Sequence, residues 1–156
     1  MKIIVARMSE HYQIAVKLFS EYAEWLGVDL CFQSFDKELQ TLSAMYAPPS
    51  GELFLIENEN IFIGCAGLRQ LDSENCELKR MYVKSEFRGL KLGEQLMEIS
   101  FKTAKDLGYK TIKLDTLSRL IPALKLYQKY DFQEIKPYNF NPEDDVLYFE
   151  KSLTDA

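Results

Sequence analysis

The residues in this chain best equipped for chemistry lie in Glu77–Gly93, ELKRMYVKSEFRGLKLG, and around Tyr127 in ALKLYQKYDF, Ala123–Phe132. Arg88, Gly89, Lys91 and Gly93 fall between a strand-like run and an amphipathic one, where a turn leads into a helix. The free N–H groups and partial positive charge of a helix N-terminus make such a turn a site for phosphate. Glycines let the backbone come close to that ligand without a Cβ in the way. The turn is not a Walker loop, because no Gly-Lys-Ser/Thr follows, and it is not GxGxxG. Taken alone, it reads more simply as a basic surface loop capping a helix.

Two further groups could move protons. Strand alternation puts Glu77 on one face with Lys79, Met81 and Val83, and a carboxylate beside apolar residues is a candidate general base with a raised pKa. A solvent-facing strand charge paired with Lys79 or Arg80 is the competing reading. The Tyr127 hydroxyl could protonate a leaving thiolate or alkoxide, although an ordinary phenol, with a pKa of about 10, is a weak acid. Helical spacing alone makes it a core-facing residue of an amphipathic helix. His11 sits in the first turn of a helix with no acid–nucleophile arrangement around it, which suits a surface histidine. The pairs Asp144-Asp145 and Glu57/Glu59 read as solvated turns, and metal-ligand spacing is absent.

The elements that must position these groups follow from periodicity. Lys2–Ala6 reads as a buried strand, and Ser9 caps a helix with apolar positions at Ala15, Leu18, Phe19, Tyr22, Trp25 and Leu26, stopped by Gly27. A second helix runs from Ser34 or Asp36 to about Tyr46 and ends at Pro48-Pro49. Glu52–Glu57 and Ile61–Leu68 form a hairpin across Asn58-Glu59-Asn60, and Cys76–Val83 is the next strand. A long helix with Leu92, Leu96, Met97, Ile99, Ala104 and Leu107 ends at Gly108. A β-like run at Thr111–Asp115 and a helix from Pro122 to about Tyr130 come next. Phe132–Ile135 and Val146–Lys151 complete the order as strands. This is one α+β domain over residues 1–156 on a mixed sheet.

Bulk properties narrow the class. Hydrophobic residues make up 47% and charged residues 28% of the 156, a globular composition with enough chain for one substantial core. The formal net charge of −5 argues against a nucleic-acid partner. Cys31, Cys65 and Cys76 form no CxxC pair, and with one histidine they favour reduced thiols over a disulfide framework or zinc site. The apolar runs are too short for a signal-peptide core or a membrane span, so a cytoplasmic protein without a membrane partner is expected.

Taken together, these residues resemble the GNAT superfamily of acyl-CoA-dependent N-acetyltransferases. Its central pattern, Arg/Gln-x-x-Gly-x-Gly/Ala after a strand, appears as Arg88-Gly89-Leu90-Lys91-Leu92-Gly93, with Lys91 at the middle glycine. Its later pattern, alanine, tyrosine four residues on, then Gly-Phe, appears as Ala123, Tyr127 and Asp131-Phe132, with Asp131 in the glycine's place. The asparagine often found three residues before the alanine is Leu120.

The resemblance implies a mixed, centrally splayed sheet of about six to seven strands flanked by about four helices, and acetyl-CoA as co-substrate with no metal. It implies that the backbone of Met81, Tyr82 and Val83 pairs with the pantetheine arm. The N–H groups of Arg88, Gly89, Leu90, Lys91, Leu92 and Gly93 would hold the pyrophosphate. Lys91, unlike glycine, is expected to keep an ordinary φ. Tyr127 would be the general acid and Glu77 the base or a contact for a cationic substrate, with an oxyanion forming near Met81. The acceptor would be a small-molecule or protein amine, and the acidic balance favours a cationic one. Apolar surface such as Tyr138–Phe140 could belong to the core or to a homodimer interface. The rival readings are a non-catalytic acyl-CoA-binding sensor and a plain interaction domain.

Overall fold

A computed structural model describes residues 1–27 and 35–154. Cys31 and Ser34, two positions weighed in the sequence, lie outside the described residues. The elements run β1 Lys2–Val5, α1 Ser9–Leu26, α2 Phe35–Gln40, α3 Leu42–Met45, β2 Glu52–Asn58, β3 Ile61–Gln70 and β4 Asn75–Val83. After one 3₁₀ turn at Ser85–Phe87 come α4 Leu92–Asp106, β5 Thr111–Leu117, α5 Ile121–Lys129, β6 Gln133–Ile135 and β7 Val146–Ser152. The helix expected to reach Tyr46 is thus in two pieces, broken at Thr41.

All seven strands form one mixed sheet in the order β1-β2-β3-β4-β5-β7-β6. β1 to β4 form an antiparallel meander, and the Glu59-Asn60 turn of its β2–β3 hairpin takes positive φ at both residues. That is the twist-compatible two-residue connection. β7 is antiparallel to both β5 and β6. The one parallel pair, β4 with β5, is short: Asn75–Glu77 matches Thr111–Lys113 and the pairing stops there. Both strands continue, β4 to Val83 and β5 to Leu117, so their upper halves diverge and leave a gap in the middle of the sheet.

Both faces of the sheet are covered. Phe54, Ile56, Ile63, Leu68, Cys76 and Leu78 pack with Leu96 and Met97 of α4 and Tyr127 of α5. Leu53, Leu55 and Cys65 pack on the other face with Ala15, Leu18 and Phe19 of α1 and with Leu42 and Tyr46. Strands buried on both faces read as continuous apolar runs, as FLI and IFIGCAGL do. The two cores fix α4 and α5 on one side of the gap and α1 on the other.

Candidate active site

The gap owes its shape to a β-bulge. Cys65 pairs with Tyr82 and Gly67 with Lys79, so Arg80 and Met81 together oppose Ala66. Arg80 takes a left-handed φ of 58°. Its guanidinium turns to the α2 side, where Nε and a terminal nitrogen each bond Glu38 at 3.0 Å. The extra residue inverts the alternation beyond it. Cys76 and Leu78 face the α4 core, and after the bulge so do Met81 and Val83. The expected shared face of Glu77, Lys79, Met81 and Val83 is therefore corrected: Glu77 and Lys79 lie on the opposite side of the strand from Met81 and Val83.

The bulge leaves a free strand edge. Lys84 N–H donates to Ile63 at 2.8 Å, so the backbone groups of residue 84 point toward β3. By alternation, those of Val83 and Met81 point into the gap. Below this edge lies a cavity of about 560 Å³, lined by Met81, Tyr82 and Val83 from β4, Arg88, Gly89, Lys91, Leu92 and Gly93 from the turn, and Tyr127 from α5. The structure thus gathers every predicted site residue around one cavity except Leu90 and Glu77. Leu90 is an exposed turn residue, 50% accessible.

The turn itself is built on two left-handed residues. Gly89 has φ 87°, and Lys91, the N-cap of α4, has φ 61° and ψ 25°. The ordinary φ expected for Lys91 is thus corrected: Lys91 adopts the conformation a glycine would adopt, at a cost of about 1–2 kcal/mol for a side chain with a Cβ. Asp131, the other residue in a glycine's place, does the same with φ 64°, and aspartate tolerates this region better than most. Leu120 is different. It occupies the N-cap of α5, makes no side-chain cap bond and lines the cavity. Leu120→Asn is expected to stabilise the fold by about 1 kcal/mol through the missing cap. Thermal melts would measure it.

Tyr127 is 7% accessible and its ring packs against Phe132 and Phe149 at 5.6 and 6.0 Å. The core position expected from its spacing and a place on the cavity wall are both true of it. Burial pushes its hydroxyl far above the ordinary tyrosine value, with the Thr116 hydroxyl acting in the opposite direction. This phenol stays protonated.

Glu77 is fully buried and sits beside the cavity wall, not in it. Burial alone would raise its pKa, but Lys79 at 3.9 Å, Arg69 Nε at 2.8 Å and the Tyr138 hydroxyl at 2.5 Å hold it below the usual carboxylate range. The expected raised pKa is corrected on that ground. Burial, and after it the same Glu77 charge, pushes Tyr138 up. A folded-state pKa below the unfolded value adds stability that is present at neutral pH and lost as the pH falls through the lowered value. Glu77→Gln should therefore lower the melting temperature at neutral pH, with the gap to wild type closing on acidification; a parallel offset at all pH values would remove the ion-pair account.

Sequence reasoning missed an aromatic wall. Tyr22 stacks on Trp25 at 6.3 Å, and Tyr82 lies 5.7 and 6.2 Å from the two. Tyr22, Trp25 and Tyr82 all line the cavity. The available signal was Trp25, a large aromatic at the end of an otherwise core-facing helical stripe, where α1 crosses the gap. His11 is half-buried, its Nδ1 accepting from the backbone N–H of Arg7 at 3.1 Å, a helix-end role without chemistry. Cys65 and Cys76 are buried free thiols, and burial raises both, Cys76 to about 12. Among the described residues no cluster could hold a metal ion and no helix is long and apolar enough to cross a membrane.

A strand edge opening on a glycine-bearing turn, with a buried tyrosine opposite, is the arrangement the resemblance implies. Residues 13–132 match the model of the Acetyltransferase (GNAT) family. The chain belongs to this family. It is 37% identical over 139 residues to an uncharacterized N-acetyltransferase of Schizosaccharomyces pombe, covering 88% of this chain and 85% of the relative. A GNAT-family acetyltransferase from Staphylococcus aureus superposes with a TM-score of 0.81 at 25% identity over 98% of this chain and 99% of the other. A GNAT-family acetyltransferase from Elizabethkingia anophelis, with acetyl-CoA bound, matches at 29% identity and a TM-score of 0.57, covering 66% of this chain and 76% of the other. This GNAT protein is an acyltransferase, and its splayed seven-stranded sheet is the family's fold.

Proposed function

We propose that the protein transfers an acetyl group from acetyl-CoA to a primary amine by direct attack, as a single GNAT domain working in the cytoplasm. The observation that carries this reading is the cavity that joins the free β4 edge, the Arg88–Gly93 turn and Tyr127. An extended amide arm adds to an open strand edge through backbone bonds, here at Met81 and Val83. Its phosphates meet the N–H groups of the turn and the start of α4.

The amine nitrogen attacks the thioester carbonyl, the N–C bond forms, and the charge develops on oxygen near Met81 N–H. The C–S bond then breaks, and Tyr127 gives its proton to the departing thiolate. The proton lost from the ammonium leaves on the other side of the strand, toward Glu77. Because Glu77 is not on the cavity wall, it would receive that proton through water. Its low pKa favours a second part for it, as the anchor of Arg69, Lys79 and Tyr138. A pH–rate profile unchanged in Glu77→Gln would leave only the anchoring part.

Around β4 and the cavity, several carboxylates are matched by cations. Glu77 faces Arg69 and Lys79, Glu38 holds Arg80, Asp145 holds Arg119 at 3.2 Å and Glu21 meets Lys84 at 3.5 Å. A neutral or zwitterionic small amine suits this balance better than a polycation. Calorimetry with acetyl-CoA tests the co-substrate, and its failure at millimolar ligand would end the reading. A coenzyme A release screen over an amine library, polyamines included, tests the acceptor.

A further inference from the structure

Arg88 does not point at the phosphate turn to which it belongs. Its Nε donates to the Val83 carbonyl at 3.0 Å, and its guanidinium carbon lies 4.4 Å from the centre of the Trp25 ring and 6.0 Å from that of Tyr82. Val83 carries one of the carbonyls that face the gap. The side chain therefore lies across the strand edge where the amide arm of acetyl-CoA would run, and the two cannot occupy that edge together. Trp25 comes from α1, on the far side of the gap, so Arg88 closes this edge from one arm of the splayed sheet to the helix above it. Gly89 beside it has φ 87°, and apart from its chain neighbours nothing lies within 4 Å of where a Cβ would stand.

We propose that Arg88 is a positioning residue with two alternative partners: it rests on Trp25 and the Val83 carbonyl, and it turns to the phosphates of acetyl-CoA as the amide arm takes over the β4 edge. This rests on the acetyl-CoA reading above. A guanidinium leaving an aromatic face gains a phosphate pair in exchange, which is the stronger and more directional contact. Trp25 then acts as a competitor of the co-substrate for Arg88. Its removal has a sign that a merely structural role would not give.

Trp25 is the only tryptophan in the chain, so its emission reports the contact directly. Titration with acetyl-CoA is expected to change Trp25 fluorescence with the same midpoint that calorimetry gives. In Arg88→Leu the emission without ligand should resemble that of the saturated wild type, and most of the ligand-linked change should vanish. Trp25→Leu should bind acetyl-CoA about two- to fivefold more tightly, the worth of an exposed cation–π contact expressed as a ratio. Equal or weaker binding by Trp25→Leu overturns the proposal, and so does an emission change that persists in Arg88→Leu. Emission that stays constant while calorimetry records binding also overturns it. No heat of binding to the wild type overturns the acetyl-CoA reading itself, which separates the two failures.

Discussion

Tyr127→Phe is expected to lower kcat by about a hundredfold or more while the protein stays folded. The ring contacts with Phe132 and Phe149 survive the substitution, and the cost to stability is limited to the polar contacts of one hydroxyl, about 1 kcal/mol. Loss of rate without loss of fold is the signature of a group needed in the transition state. The sign of the pH dependence follows from burial. The hydroxyl is held well above the ordinary tyrosine value, so the acid form persists to high pH and no fall in rate up to about pH 10 should come from Tyr127. The same desolvation that raises the phenol also raises the departing thiolate, which keeps proton transfer feasible. Steady-state turnover on an acceptor found by the amine screen, with a melting curve alongside, checks both halves. Unchanged turnover would take Tyr127 out of the acid's role.

How far this site could be read in advance depended on whether a residue's part is local or long-range. Gly27, Gly108, Pro122 and the Glu59-Asn60 turn act on their own backbone, and each ends or starts an element where the sequence said it would. The turn at Arg88–Gly93 was legible for the same reason. Lys91 and Asp131 both hold a left-handed backbone in spite of their side chains, which residue type does not reveal. Glu77 was misplaced because the bulge after Lys79 cannot be seen in an alternating run: one extra residue at Arg80 reverses which side chains share a face. Its low pKa was equally hidden, since Tyr138 is 61 positions away in the chain. Trp25, Tyr82 and Arg88 meet only because α1 crosses the gap that the two strands leave.

Glu38→Ala is expected to destabilise the protein by about 3–5 kcal/mol, the largest effect on stability foreseen here, and to damage catalysis well beyond its own neighbourhood. Glu38 and Arg80 are 4% and 6% accessible and joined by two 3.0 Å bonds. Taking away the carboxylate removes two charge-assisted bonds from a cation already out of water. The cation sits on a residue with φ 58°, a conformation that persists only because its surroundings impose it. Without Glu38, the bulge loses a contact that turns Arg80 toward α2, and a regular ladder between β3 and β4 becomes the competing arrangement. That ladder would rotate Met81 and Val83 away from the gap and close the strand edge on which acetyl-CoA is proposed to dock. Chemical denaturation gives the stability, and calorimetry gives the affinity for acetyl-CoA. A double replacement, Glu38→Leu with Arg80→Met, separates the two effects. Well-packed apolar residues in place of a buried ion pair should recover much of the stability. They would not restore the turn at residue 80, so acetyl-CoA affinity should stay low. If the double variant binds acetyl-CoA as wild type does, the bulge holds its shape without the ion pair, and Glu38 and Arg80 matter to folding alone.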